Sequence, residues 1–206
     1  MSVVDRYLAG LKAAYQEYDL DDVWDEFIEE TGPQKASEEE LQAIRDLYPL
    51  VPETLLELLA RFNGTNGRGP SDERVPDLLC LSSDVGNGSY PYYLLSATEI
   101  IENKDTAHHL AGYIDREYEH LDWVTVDPSI GNNSKETRWL HFSDCMNNGG
   151  TSQLFIDFTP SQTGTVGQIV RFLHDPDDLS VIANSFDEYL QKVIDDQYVF
   201  LEDVEE

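Results

Sequence analysis

The apolar positions at the start of the chain recur with the three- and four-residue spacing of amphipathic helices. The first series predicts a helix whose buried face consists of Val4, Leu8, Leu11, Tyr15 and Tyr18. A second, shorter series predicts another helix, which ends before Gly32–Pro33 and buries Val23, Trp24, Phe27 and Ile28. Because glycine and proline interrupt helices, residues 1–36 are predicted to form an N-terminal helical extension.

Three Ser-x-x-Glu patterns predict where later helices begin, since the serine can cap the first turn and the glutamate can return the hydrogen bond. These patterns are Ser37–Glu40, Ser96–Glu99 and Ser185–Glu188. The helix predicted to begin after Ser96 covers roughly residues 97–121, and the one predicted to begin after Ser185 is the last helix of the chain. The helix predicted to begin after Ser37 buries Leu41, Ile44 and Leu47.

A proline and an Asn-Gly pair delimit one more helix between the first two of these starts. Pro52 suits the first turn, where a missing N–H costs nothing, and Asn63–Gly64 suits a left-handed C-terminal stop. The residues predicted to be buried between them are Leu55, Leu56, Leu58, Leu59 and Phe62.

Short β-branched or aromatic runs, separated by Gly, Asn, Ser and Pro, predict the β-strands. The runs are LLCLS, YYLL, WVTV, RWLHFS, QLFIDF and GQIVRFLHD, and the last is predicted to be the final strand. Short connections between the late runs favour hairpins over βαβ crossovers. The predicted fold class is therefore α+β, with an antiparallel sheet of about five to six strands flanked by helices over residues 37–195. Residues 196–206 are predicted to be an acidic C-terminal tail.

The chain is strongly acidic, which bears on the partners that it can bind. The 206-residue chain has 41 acidic and 13 basic residues, which gives a formal net charge of −28. Such a surface repels nucleic acid, whose binding depends on cations that displace counterions, and it accelerates encounter with a basic protein. The same acidity also fits a protein that is merely kept dispersed or that works in a salty habitat, and charge alone leaves both interpretations open.

The remaining composition predicts a soluble cytoplasmic protein without a metal or cofactor. Cys80 and Cys145 are too few for a disulfide scaffold or a closed zinc site. The first residues lack the apolar core of a secretory signal, and no segment approaches the roughly 20 apolar residues of a membrane span. Adjacent His108 and His109 diverge by about 100° on a helix and cannot chelate one metal.

The glycine pair in TPSQTGTVGQIV is a candidate phosphate or nucleic-acid loop. A P-loop requires a following lysine, a dinucleotide fingerprint requires a third glycine that opens a helix, and an RNA-clamping G-x-x-G loop requires basic neighbours. None of these features is present. The pair is therefore interpreted as a hairpin in which Gly164 supplies a positive φ and Gly167 permits a bulge or close strand approach, with Pro160 ending the preceding strand.

Two further residue sets are candidates for catalysis. Strand alternation places Asp157 on one face with Phe155, and the carboxylate is interpreted as satisfied by hairpin amides. His141 and Cys145 are a candidate nucleophile pair, because such pairs are assembled in space rather than in sequence. This hydrolase hypothesis predicts that the two side chains lie within hydrogen-bonding reach in a concave pocket.

Two blocks of the sequence resemble the SUKH superfamily, which includes fungal Smi/Knr-type cell-wall regulators and many bacterial immunity proteins. The first is LYPLVPETLLELLARFNGTNG, with its proline-led helix and Asn-Gly end. The second runs from WLHFSDC to SFDEYL. The matching residues in this block are Trp139, Gly149, Asp157, Pro160, Gly164, Gly167, Gln168, Ser185, Phe186 and Leu190.

The resemblance implies a non-enzymatic protein-binding domain with an α+β fold. The leading hypothesis is an immunity protein that neutralises a cognate toxin, such as a basic nuclease, by covering its substrate groove. A regulatory interaction protein is the alternative, and an uncharacterised hydrolase is the second alternative. The residues predicted to contact the partner lie near strand ends or in the adjoining Asn-Gly loop, and they are Tyr92, Trp139, Asp144 and Asn147.

Overall fold

Helices open and close the chain, and the strands of a sheet lie between them. The computed structural model describes residues 1–31, 34–68, 76–83, 90–146, 152–174, 176–202 and 204. Within these residues the helices are α1 Val3–Glu17, α2 Asp21–Thr31, α3 Glu38–Leu47, α4 Glu53–Leu59, α5 Ala97–Glu102, α6 Ala111–Ile114 and α7 Phe186–Asp195, with 3₁₀ helices at Thr106–Leu110 and Val199–Leu201. The strands are β1 Leu81–Ser82, β2 Pro91–Leu94, β3 Thr125–Val126, β4 Trp139–Cys145, β5 Gln153–Asp157, β6 Gln168–Leu173 and β7 Asp178–Ala183.

The described strands form one sheet in the order β1-β2-β4-β5-β6-β7-β3. All neighbours are antiparallel except β3 and β7, which are parallel. The α+β class and the mainly antiparallel pairing are confirmed, but the expected five to six strands are wrong, since the sheet has seven. The strand that the sequence pattern missed is β7, which follows the run that was predicted to be final. Only its Leu179 and Ala183 are fully buried, so its apolar signal is weak.

Both faces of the sheet are covered. One face contributes Leu140, Leu154 and Ile156 to the main core, which also includes residues of the N-terminal helices and of α7. The other face forms a second core, made of Ala107, Leu110, Ile114, Ile130, Trp139, Phe155, Val170, Phe172 and Leu179. The segment between α5 and β4 supplies the cover of this second face. Neighbouring strand residues therefore alternate between two apolar environments rather than between core and water.

The predicted helix over residues 97–121 is wrong, because this segment is broken into short pieces. Helix α5 ends at Glu102, a 3₁₀ helix follows, and α6 is only four residues long. The N–H of Glu117 bonds to the carbonyl of Gly112, and the N–H of Arg116 bonds to that of Tyr113. These two bonds, with Arg116 at φ 62°, form a Schellman stop. Arginine rarely adopts this left-handed backbone conformation, so the sequence gives no sign that the helix ends here.

Several predicted helix ends are confirmed. Ser37 and Ser96 form reciprocal capping boxes with the glutamates three residues later. Ser185 caps the N–H of Glu188, but the Glu188 carboxylate bonds to Asn184 instead of closing the box. Gly64 has the predicted left-handed conformation, with φ 90°, but α4 already ends at Leu59, so the predicted helix stop at Asn63–Gly64 is wrong. The Asn63 side chain instead accepts a hydrogen bond from the N–H of Ala97 at the start of α5. Pro52 is the N-cap of α4, and Phe186 is buried in the first turn of α7.

Helix α1 packs into the main core beside α7. Its buried residues are Val4, Tyr7, Leu11, Ala14 and Tyr15. The hydroxyl of Tyr7 donates to the carbonyl of Cys80, and that of Tyr15 donates to the carbonyl of Leu79 at 2.7 Å. From α7, the hydroxyl of Tyr189 donates to the carbonyl of Ser82 at 2.7 Å. These tyrosines hold residues 79–82, including edge strand β1, against the two helices. The division into a 1–36 extension, a 37–195 domain and a 196–206 tail stays a prediction.

Candidate functional site

The candidate nucleophile pair is separated by the sheet. A register shift between His141 and Ser143 interrupts β4, so residues four apart no longer share a face. His141 stacks on Phe155 of the second core with ring centroids 5.0 Å apart, whereas Cys145 belongs to the main core. The His141 Nε2 atom lies 2.8 Å from Asp144 Oδ1 and 3.2 Å from the carbonyl of Ser143. This arrangement does not support the hydrolase hypothesis.

Asp157 closes the base of the β5–β6 hairpin. Its Oδ1 accepts the N–H of Thr159 at 2.7 Å, and its Oδ2 accepts Nε2 of Gln168 at 3.0 Å. The side chain of Trp139 donates to the same carboxylate. Burial raises the pKa of Asp157, and the donated hydrogen bonds oppose this rise. The carboxylate is therefore a structural acceptor that joins three strands, as interpreted from its place in the hairpin.

We expect Asp157→Asn to lower the free energy of unfolding by about 1–3 kcal/mol. The NH₂ group of asparagine would replace one of the two accepting oxygens, so that two hydrogen-bond donors would face each other. Both carboxylate oxygens accept bonds in the folded protein, and Gln168 cannot rotate freely since its Oε1 accepts the N–H of Thr165. Urea denaturation at pH 7 measures the loss. Asp144→Asn on neighbouring β4 is the control, and an equal or smaller loss for Asp157→Asn would contradict the structural role.

The two hairpin glycines exchange the roles that were expected of them. Gly167, not Gly164, adopts the positive φ of 89°. Gly164 instead lies where two loops meet, because a Cβ atom there would be 2.3 Å from the carbonyl oxygen of Ser129 and 2.6 Å from Cβ of Pro160. The prediction of a turn rather than a ligand loop fits this geometry, but the assignment of the individual roles was wrong. The contact with Ser129 comes from a distant loop, which local sequence cannot reveal.

Two of the four residues expected to contact a partner are buried. Tyr92 is 0% exposed within the main core, and Trp139 is 3% exposed within the second core. Burial on both sheet faces removes these two side chains from direct contact with a partner. Asp144 is half-buried and bonds to His141 and Gln153. Asn147 lies outside the described residues, as does Gly149.

A different segment, residues 115–124, carries exposed aromatic and acidic side chains together. Trp123 is 61% exposed and Tyr118 is 39% exposed. Exposed acidic residues surround them, namely Asp115, Glu117, Glu119 and Asp122. Tryptophan and tyrosine supply large contact areas at protein interfaces and are enriched among the residues that contribute most to binding. We call residues 115–124 the acidic aromatic segment.

The one basic side chain of this segment other than histidine is directed away from its outer surface. The Arg116 guanidinium donates to backbone carbonyls of Tyr113, Ile114, Asp127 and Ile130 at 3.0–3.4 Å. Burial lowers the pKa of this guanidinium, although it remains charged at neutral pH. The positive charge therefore holds the backbone of the segment in place, and the exposed carboxylates are left to dominate the outer face.

Further contacts fix the shape of the acidic aromatic segment. The ring of Tyr118 packs edge-on against Tyr113 with centroids 5.0 Å apart. The Tyr113 hydroxyl donates to Asp177 at 2.7 Å, and burial together with this carboxylate raises the pKa of Tyr113 to about 12. Asp115 accepts the N–H and hydroxyl of Ser134, which lowers its pKa. The segment is thus preorganised, so it loses little conformational freedom on binding.

Sequence reasoning missed this surface because WVTV was interpreted as a strand beginning at Trp123. The actual strand β3 begins at Thr125, and Trp123 lies in the preceding turn. The available signal was the sequence EYEHLDW, in which aromatic and acidic residues alternate without the apolar periodicity of a buried element.

Comparison with known proteins gives one family match. The family model described as SMI1 / KNR4 family (SUKH-1) matches residues 35–192, which is more than half of the chain. No curated protein matches the chain. Helices α1 and α2 precede the matched range, whereas the acidic aromatic segment lies inside it. Among the described residues, no helix is both long and apolar enough to cross a membrane.

Proposed function

The chain belongs to the SMI1/KNR4 family (SUKH-1), and from this membership we propose that it is a non-enzymatic cytoplasmic protein-binding domain that acts as an immunity protein. Its partner is a basic toxin, and the chain neutralises the toxin by covering the surface that binds the toxin's anionic substrate. A nuclease fits this description, since its substrate groove must be cationic.

The observation that carries the proposal is the exposure of Trp123 and Tyr118 among carboxylates on a rigid segment. An interface typically combines a few aromatic anchors with a surrounding polar rim. Here the rim is acidic, and the inward direction of Arg116 leaves it without a compensating arginine on its outer face. A cationic partner groove complements both the shape and the charge of such a surface.

The two kinds of side chain have separate energetic roles in this proposal. The net charge of −28 attracts a basic partner over a distance and raises the association rate, an effect that salt weakens. The buried aromatic contacts slow dissociation and persist at high salt. The same charge makes direct binding of nucleic acid by this chain unfavourable, because few cations are available to displace counterions.

We expect Trp123→Ala to weaken binding of the cognate toxin at least tenfold, with the loss mainly in a faster dissociation rate. The toxin is sought as the product of the open reading frame next to the gene for this chain, by pull-down and by relief of its toxicity on co-expression. Surface plasmon resonance at low and high salt then gives the two rate constants for wild type and variant.

Tyr90→Ala is the matched control. Tyr90 is 47% exposed, but it precedes β2, which pairs with edge strand β1 at the opposite end of the sheet from β3. Unchanged dissociation of Trp123→Ala, or an equal effect of Tyr90→Ala, would contradict the assigned surface. A neighbouring product that binds but is not toxic would contradict the immunity role and favour the regulatory interaction protein.

A further inference from the structure

A second surface is lined by cations. It is a groove between the end of α3, the turn after α5 and the turn before β4, and we call it the basic groove. The residues that define it are Leu47, Lys104, Asp105, His108, Lys135 and Arg138. Three of the 13 Lys and Arg residues of this acidic chain therefore converge on one groove.

Lys135 has an electrostatic interaction with Asp115, but close ion pairs with these three cations are absent from the described residues. Among the described residues, Lys104, Lys135 and Arg138 form no ion pair, whereas Arg45, Arg61, Arg68, Arg171 and Lys192 each contact a carboxylate. Arg138 only donates to the carbonyl of the preceding Thr137 at 2.9 Å. With 41 acidic residues in the chain, carboxylate partners are plentiful. Asp105 lies in the groove, but among the described residues it forms no ion pair with these three cations, which leaves them available to an external anion.

The floor of the basic groove is apolar and rigid. Tyr48 and Trp139 lie at its base, and the Tyr48 hydroxyl donates to the carbonyl of Trp139 at 3.3 Å. Tyr48 also packs against Phe158 with ring centroids 5.7 Å apart. Leu47, which the helical pattern predicted to be buried, is 42% exposed on the rim. The groove therefore offers apolar contact in the middle and cations around it.

We propose that the basic groove binds an acidic peptide segment of a partner protein, with an apolar residue of that segment seated beside Leu47. Carboxylates complement the three cations, and the apolar floor requires a side chain that nucleic acid and free phosphate lack. Three cations are too few to hold a nucleic-acid backbone against the charge of the whole chain. Acidic residues elsewhere do not prevent local binding, since charges beyond about 8 Å are screened at physiological salt.

The basic groove is distinct from the acidic aromatic segment, and the inference does not depend on the proposed immunity role. Its test is selection of a phage-displayed library of random 12-residue peptides on the full immobilised chain. We expect enriched peptides to carry several Asp or Glu residues next to an apolar residue. A synthetic fluorescent copy of an enriched peptide then gives the dissociation constant by anisotropy, with a short DNA duplex and anionic lipid vesicles as alternative ligands.

The decisive comparison uses two variants of equal net charge. The groove variant reverses the charge of the three cations in the groove and is Lys104→Glu/Lys135→Glu/Arg138→Glu. The control variant reverses the charge of three exposed cations elsewhere, which form no ion pair among the described residues, and is Arg6→Glu/Lys12→Glu/Lys35→Glu. We expect the groove variant to bind the peptide at least tenfold more weakly, the control variant less than threefold, and Trp123→Ala no differently from wild type. Equal losses in the two triple variants, enriched peptides without excess acid, or preference for the duplex or vesicles would overturn the proposal.

Discussion

Removal of residues 1–36 is expected to abolish cooperative unfolding of the remaining chain, although the family match begins only at residue 35. Helix α1 is not an appendage on the surface, because Val4, Tyr7, Leu11 and Tyr15 are each at most 1% exposed. Burial of such side chains contributes about 1.5–3 kcal/mol each. Their combined loss, about 6–12 kcal/mol, is comparable with the whole stability of a typical domain, about 5–15 kcal/mol.

The hydrogen bonds of α1 strengthen this expectation. Without Tyr7 and Tyr15, the carbonyls of Cys80 and Leu79 lose buried donors, and edge strand β1 loses its support on one side. Tyr198, which follows α7, also donates to the carbonyl of Tyr7 at 2.7 Å, so both ends of the chain depend on this helix. Leaving buried polar groups unpaired adds about 1–3 kcal/mol for each group.

Thermal denaturation followed by near-ultraviolet circular dichroism tests the deletion. We expect residues 37–206 alone to show no sharp transition, and addition of a synthetic peptide of residues 1–36 to restore one. The matched control is removal of residues 203–206, which leaves α1 intact. A cooperative transition in the 37–206 chain, unchanged by the peptide, would instead support an independent domain that begins near residue 37.

Much of the fold could be predicted from local sequence, because local interactions determine it. The boxes at Ser37 and Ser96 depend on residues three positions apart, and both form as predicted. Alternation in β5 also predicted correctly that Leu154 and Ile156 face away from Phe155. Alternation could not show that the second face is covered as well, since that cover comes from residues 103–130, distant in sequence.

The candidate surfaces were harder to predict, because exposure depends on which neighbours are present. Leu47 continues the apolar spacing of Leu41 and Ile44, yet α3 packs only far enough to bury the first two. Trp123 satisfies a strand pattern, yet the backbone pairs with β7 only from Thr125 onward. Conversely, Tyr92 looked accessible near a strand end but is enclosed by the main core. Composition and spacing contain none of this tertiary information.

Gly164→Ala is expected to lower the free energy of unfolding by about 3 kcal/mol, at the upper end of the range for overpacking. The added methyl group would lie 2.3 Å from the carbonyl oxygen of Ser129. That carbonyl already accepts the N–H of Ser161 at 2.9 Å and Nε2 of Gln168 at 3.2 Å. Because the obstructing atom is backbone held by two hydrogen bonds, neither loop can move away without losing them.

Gly167→Ala is the matched control, with an expected loss of about 1 kcal/mol. Its φ of 89° disfavours a side chain, but no heavy atom beyond the residue itself and its two chain neighbours lies within 4 Å of the added Cβ among the described residues. Urea denaturation of both variants, with the slope unchanged, gives the comparison directly. A larger loss for Gly167→Ala than for Gly164→Ala would contradict the structure, because it would mean that backbone conformation, rather than the close approach of the two loops, makes glycine necessary in this hairpin.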